Sequence, residues 1–216
     1  MKKTIFVVGA GKGLGNAVAK KFGKNDFKVV LMSRKQENLE SYKAEFEADG
    51  IETEILTVDA ANSENLATVL KQARDTYGTP DVLFYNVGIT VLDESLEQPI
   101  DAKILMERYQ VDVAGAYTAV QTIMDDDFSE KKGAILITGG GLGINPYVGF
   151  LPLSMDKAAL RAMVLALYPV YKEKNVYIGS VQIQGAIGGS EEYMPAVIAE
   201  KFWDLYQKRS DVEIVY

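Results

Sequence analysis

The start of the chain constrains its fold more than any other stretch. Residues 4–8 are an apolar, β-branched run that breaks into Gly9-Ala10-Gly11-Lys12-Gly13-Leu14-Gly15, four glycines in seven residues. Such a run reads as a strand, and the glycines after it as a tight turn. Leu14, Ala17, Val18 and Phe22 then recur at the spacing of one helical face. A strand feeding a glycine turn that opens a helix lets the backbone approach a bound group closely. It also aims free N–H groups of the helix N-terminus at that group, an arrangement that suits a diphosphate.

The rest of the chain keeps the same alternation. Apolar strand patterns fall at residues 27–32, 53–58, 81–85, 134–138, 176–183 and 212–216. Helical patterns lie between them, ending near residue 49, repeating through Leu66, Val69, Leu70, Ala73 and Tyr77, and spanning about 101–124, 154–172 and 191–208. Strands alternating with helices predict an α/β fold, a doubly wound parallel sheet of about seven strands with helices on both faces. No linker, repeat or low-complexity segment interrupts it, so residues 1–216 read as one domain. Ligands of such sheets sit beyond the carboxyl ends of the strands. Gly9, Ser33, Arg34, Asp59, Asn86, the Gly139-Gly140-Gly141 run and Gly185 fall there.

Composition narrows the chemistry. A net charge of -7 with scattered Lys and Arg argues against a nucleic-acid surface. There is no apolar run of membrane-spanning length and no leader pattern, which makes a cytoplasmic chain without membrane partners the expectation. The chain has no cysteine and no histidine. Ser-His and Cys-His nucleophiles and histidine-ligated metals are therefore excluded, and proton transfer falls to Tyr, Lys, Asp or Glu. Asp125-Asp126-Asp127 reads as a solvated charge run, and no metal is expected.

Gly9, Gly13 and Gly15 follow G-x-x-x-G-x-G, and from residue 3 to 216 the chain resembles the short-chain dehydrogenase/reductase family, whose fold is Rossmann-like. The resemblance implies a nicotinamide dinucleotide held by Gly9, Gly11, Lys12, Gly13, Leu14, Gly15, Ser33, Arg34, Asp59, Ala60, Asn86, Gly88, Lys157, Gly185 and Ile187. Asp59 takes the place of the family's adenine-binding acid, although a strand-end carboxylate also caps helices. Asn86-Val87-Gly88 matches half of the family's Asn-Asn-Ala-Gly turn, with Tyr85 in the first asparagine's place. The second strand ends in Ser33-Arg34 where an NAD enzyme usually carries a carboxylate. With Lys12 in the turn, the resemblance points to NADP(H), whose 2′-phosphate a guanidinium binds with paired donors.

The family's catalytic set is mostly replaced. Lys157 matches the lysine of Tyr-x-x-x-Lys, but the tyrosine's position is Leu153, and the alternative Tyr-x6-Lys register gives Phe150. The serine's position is Gly140, and the asparagine's is best matched by Asp112. Lys157, Asp112 and Tyr147 are the remaining catalytic candidates, with Tyr193 at the start of the last helix and Tyr85 at the end of the fourth strand also near the cleft. Two functions follow from the resemblance. One is an NADP(H)-binding oxidoreductase with unconventional hydride transfer to a carbonyl or enone of unknown identity, and the other is a catalytically inactive NADP(H) sensor or interaction module. The loop at residues 185–190 is too short for the family's substrate lid. The helix bearing Lys157, apolar nearly all round, must be covered on both sides, either within the monomer or, as the resemblance implies, across the interface of a homo-dimer or homo-tetramer.

Overall fold

The computed structural model describes residues 2–93 and 100–216. Its strands are β1 (Lys3–Val8), β2 (Phe27–Ser33), β3 (Thr53–Thr57), β4 (Val82–Tyr85), β5 (Ala134–Thr138), β6 (Tyr177–Gln182) and β7 (Glu213–Val215). All seven run parallel in one sheet, ordered β3-β2-β1-β4-β5-β6-β7. The chain reverses its direction of winding between β1 and β4, so the carboxyl ends of those two strands open a crevice.

Alternation along β1 divides the core. Ile5 and Val7 face α1 (Leu14–Gly23), α2 (Gln36–Ala48) and α8 (Pro195–Lys208), where Phe22, Phe46 and Phe202 are fully buried. Phe6 and Val8 face α3 (Ser63–Tyr77), α5 (Gly115–Ile123) and α7 (Leu151–Glu173), meeting Leu70, Val120 and Val164. Strands buried on both faces need unbroken apolar sequence, as in the wholly buried Ala-Ile-Leu-Ile-Thr of β5.

The predicted helix over 101–124 is broken. α4 (Ala102–Tyr109) passes into a π turn, Gln110–Ala114, before α5. One wider turn takes the Val111 carbonyl out of the regular ladder, and the Tyr85 hydroxyl donates to it at 2.6 Å. Gly115 is small because a Cβ there would collide with that hydroxyl. α7 starts at Leu151, ahead of the predicted 154, with Pro152 in its first turn, and α8 starts at Pro195 rather than 191. A short helix, α6 (Asp126–Glu130), is capped by Asp125, whose carboxylate accepts from Phe128 N at 2.9 Å and pairs with Arg74. Among the described residues no group of three or more His, Cys, Asp or Glu is placed to hold a metal ion, and no helix is long and apolar enough to cross a membrane.

Phe22 packs edge-on against Phe27 and Trp203, with centroids 5.2 and 5.0 Å away. Phe22→Ala is expected to cost about 3–5 kcal/mol, read as a lowered urea midpoint with an unchanged slope.

Candidate active site

Two of the four turn glycines are imposed by close approach. Gly9 has φ +94°, and a Cβ on it would lie 2.7 Å from the Asn86 carbonyl group. A Cβ on Gly15 would collide with the Gly9 carbonyl oxygen, whereas Gly11 and Gly13 face open space. Gly9 and Ala10 N–H both donate to Met32 O, which fixes the turn against β2. The N–H groups of Lys12, Gly13, Leu14 and Gly15 meet no acceptor among the described residues, so they remain available at the N-terminus of α1. Asn86 ties the neighbouring strands together: its Nδ2 donates to Gly9 O at 3.1 Å, and Thr138 Oγ1 donates to its Oδ1 at 2.8 Å. Its side chain is thus committed to the fold, and it joins the site as part of a wall.

Two cavities meet along Asn86-Val87-Gly88. The smaller, about 450 Å³, is lined by Gly9, Ser33, Arg34, Asp59 and Ala60. Asp59 Oδ1 accepts from Ala61 N at 3.0 Å, so half of that carboxylate holds a turn. The larger, about 1110 Å³, runs from Gly11, Lys12, Gly13, Leu14 and Gly15 past Gly140 and Lys157 to Gly185 and Ile187. Every residue expected to hold the nucleotide therefore lines one cavity or the other, with Lys12 in the larger and Arg34 in the smaller. Sequence reasoning did not single out Thr90, Leu142 or Asn145, which also line the larger cavity. They lie in irregular loops, where no periodicity marks an inward face.

The catalytic candidates separate. Lys157 lines the larger cavity, is 7% exposed, and donates from Nζ to Thr138 O at 2.8 Å. Burial pushes its pKa below the ordinary lysine value, while Asp112 and Asp156 oppose that shift. Asp112, fully buried, lies behind Gly88 and lines neither cavity; both its oxygens accept from Ile89 N–H, at 3.0 and 3.1 Å. Burial raises its pKa, against the pull of Lys157 and that N–H. Tyr147 does line the larger cavity, half-exposed, with its ring 6.3 Å from that of Phe150. Tyr85 is a buried strut whose pKa burial raises far beyond any proton-transfer role near neutral pH.

Tyr193 is also structural. Its ring lies against Gly185, where a Cβ would collide with it, and meets the Tyr216 ring edge-on at 5.7 Å. Tyr216 accepts from Gln184 N at 2.6 Å and donates from its hydroxyl to Glu192 O at 3.1 Å. Gly188 N donates to Tyr193 O at 2.8 Å. The loop where the family carries a lid is therefore pinned at several points.

Asp156, beside Lys157 on α7, was not anticipated, although an acid within the apolar 153–160 stretch was the available signal. It is 3% exposed and its Oδ2 has no hydrogen-bond partner. Arg108 pairs with Asp93 at 2.9 Å on its far side. Burial, reinforced by the Asp112 charge, pushes Asp156 up to about 7, against Lys157 and Arg108. A folded-state pKa above the unfolded value means that the native protein holds a proton the unfolded chain has lost. Stability from this group is thus greatest at low pH and declines as pH rises toward 7. Asp156→Asn, which keeps the shape of the protonated acid, is expected to gain on the order of 2 kcal/mol over wild type between pH 5 and pH 8 in denaturant titrations.

The comparisons with known proteins bear on this geometry. Residues 3–187 match the family model described as short chain dehydrogenase. The chain belongs to the short-chain dehydrogenase family. An uncharacterised oxidoreductase of Listeria monocytogenes is 24% identical over 88% of this chain and 75% of its own length. The very-long-chain 3-oxoacyl-CoA reductase of Anas platyrhynchos is 26% identical over 81% of this chain, which spans 57% of that protein. Among solved structures, a short-chain dehydrogenase from Rhodopseudomonas palustris superposes with TM-score 0.85 at 26% identity, covering 99% and 97% of the two chains. Actinorhodin polyketide ketoreductase, solved with NADPH, superposes at 0.89 with 18% identity over 99% and 95%, and shares the fold.

Proposed function

We propose that this short-chain dehydrogenase binds NADP(H) across both cavities and passes reducing equivalents to a conjugated carbonyl compound without the family's tyrosine. The observation that carries this reading is the pair of cavities joined at Asn86-Val87-Gly88, with the unpaired N–H groups of Lys12 to Gly15 on the wall of one. Those amides suit a diphosphate. Asp59 and Ala60 would flank the adenine, and the Arg34 guanidinium at the end of β2 would hold the 2′-phosphate. Two solved relatives, actinorhodin ketoreductase and a metagenomic short-chain oxidoreductase, carry NADPH and NADP, which supports the same choice here.

The bound cofactor supplies two electrons and a proton as hydride. Lys157 would hold the ribose hydroxyls with the N–H groups that Thr138 O leaves free, and Gly185 and Ile187 would bound the nicotinamide through the pinned loop. Leu153 and Gly140 move no proton. Loss of a positioned general acid costs about 10²–10⁴-fold, and loss of an oxyanion donor about 10²–10³-fold. Those two positions also favour a second reading, an NADP(H) sensor without turnover. The exposed Met106, Tyr117, Leu165 and Val170 on α4, α5 and α7 support a homo-oligomer, which sedimentation of the free protein tests.

Titration with NADPH and NADH, followed by nicotinamide fluorescence, is the deciding experiment. Arg34→Ala is expected to weaken NADPH about 10–100-fold and NADH little; equal losses would remove the 2′-phosphate assignment. Leu153→Tyr with Gly140→Ser is expected to raise ketone reduction at least 10²-fold. A Cβ at position 140 would lie 3.2 Å from Lys157 Cγ, so the lysine stem must shift by a few tenths of an ångström.

A further inference from the structure

We propose that the outer half of the larger cavity takes a planar, uncharged, conjugated two-electron acceptor of the quinone class, and not a saturated ketone. This inference rests on the NADP(H) reading above. Besides the residues assigned to the cofactor, the lining of the larger cavity includes Leu142, Asn145, Tyr147, Phe150, Leu153 and Gln184. Among the described residues, no carboxylate lines the cavity, and its two cations are Lys12 at the glycine turn and the buried Lys157. Nothing there recognises a charged substrate. The Tyr147 and Phe150 rings, tilted by 54°, offer aromatic faces and edges to a flat molecule. The segments that carry these residues are held by contacts outside the cavity. Asp93 N–H donates to Gly149 O at 2.9 Å, next to the cavity-lining Phe150, while the Asp93 carboxylate pairs with Arg108, and the lining residues Gln184 and Gly185 belong to the loop tethered by Tyr216.

The missing proton donor selects among acceptors. A saturated ketone that receives hydride becomes an alkoxide, close in basicity to hydroxide. It therefore needs a proton delivered as the electrons arrive, and neither Leu153 nor Gly140 can deliver one. A quinone becomes a phenolate, whose conjugate acid lies near pKa ~10. That oxygen tolerates the unprotonated state by roughly six orders of magnitude more than an alkoxide. The step balances with the hydride going to a quinone oxygen: a C–H bond of the reduced nicotinamide breaks, an O–H bond forms, the electron pair passes into the ring, and the other oxygen becomes a phenolate that takes the second proton from water. The products are a hydroquinone and the oxidised dinucleotide, with no bond to the protein.

NADPH binding is measured first by nicotinamide fluorescence. Menadione and cyclohexanone are then titrated calorimetrically into protein saturated with NADP⁺, where no turnover occurs. Menadione is expected to bind and cyclohexanone not to, and Phe150→Ala is expected to weaken menadione at least 10-fold. Tyr147→Ala, at a half-exposed position, tests the same wall should Phe150→Ala fail to fold. With NADPH, the enzyme-dependent rate on menadione is expected to exceed that on cyclohexanone at least 10³-fold. Protein that binds NADPH but not menadione overturns this inference alone. Menadione binding unchanged in the folded wall variants, or equal rates on the two acceptors, overturns it as well. Protein that binds no NADPH overturns it together with the reading on which it rests.

Discussion

The Asn86 amide reaches back to the Gly9 carbonyl of β1 and across to the Thr138 hydroxyl of β5. These three strand ends carry the glycine turn, the wall shared by the two cavities, and the carbonyl that fixes Lys157. A half-buried amide satisfied on both sides resists being moved, because either partner would be left unpaired. The spacing at Gly9, which leaves no room for a methyl group, is the steric counterpart of that tie. The surface that the two cavities share is thereby set by the fold itself.

Behind that surface lies a group of buried charges. Arg108 and Lys157 balance Asp93 and Asp112, which leaves Asp156 as the carboxyl without a cation of its own, and burial favours its neutral form. Burial draws the Lys157 pKa down, and the acids that oppose this shift sit on different elements, Asp112 on the π turn and Asp156 on α7 itself. This arrangement survives although the neighbouring proton-transfer positions are occupied by leucine and glycine.

Much of the fold was legible in the sequence because periodicity and glycine punctuation are local signals. The limits of β5 were read to the residue, and the G-x-x-x-G-x-G spacing located the turn whose two tightest contacts the structure shows. The π turn was not legible. At it the Val111 carbonyl accepts from the hydroxyl of Tyr85, far away in sequence. Asp156 and its partners were hidden for the same reason, since α4, the π turn and α7 meet only in the folded chain. Lys157 was legible through its resemblance to a family motif, and its burial and its bond to Thr138 O were not. The loop before α8 read as short, but nothing local said that Tyr216 would tether it.

That tether has a kinetic meaning. A site sealed by a moving flap releases its contents when the flap opens, so residence time follows a conformational clock. Here the segment from Gln184 to Met194 is tethered to an aromatic pair and to the edge of the sheet, which holds this segment against such an opening motion. Dwell times of bound molecules are then governed by the strength of their own contacts with the walls. Affinity and off-rate should move together across ligands, as they do for a rigid receptor.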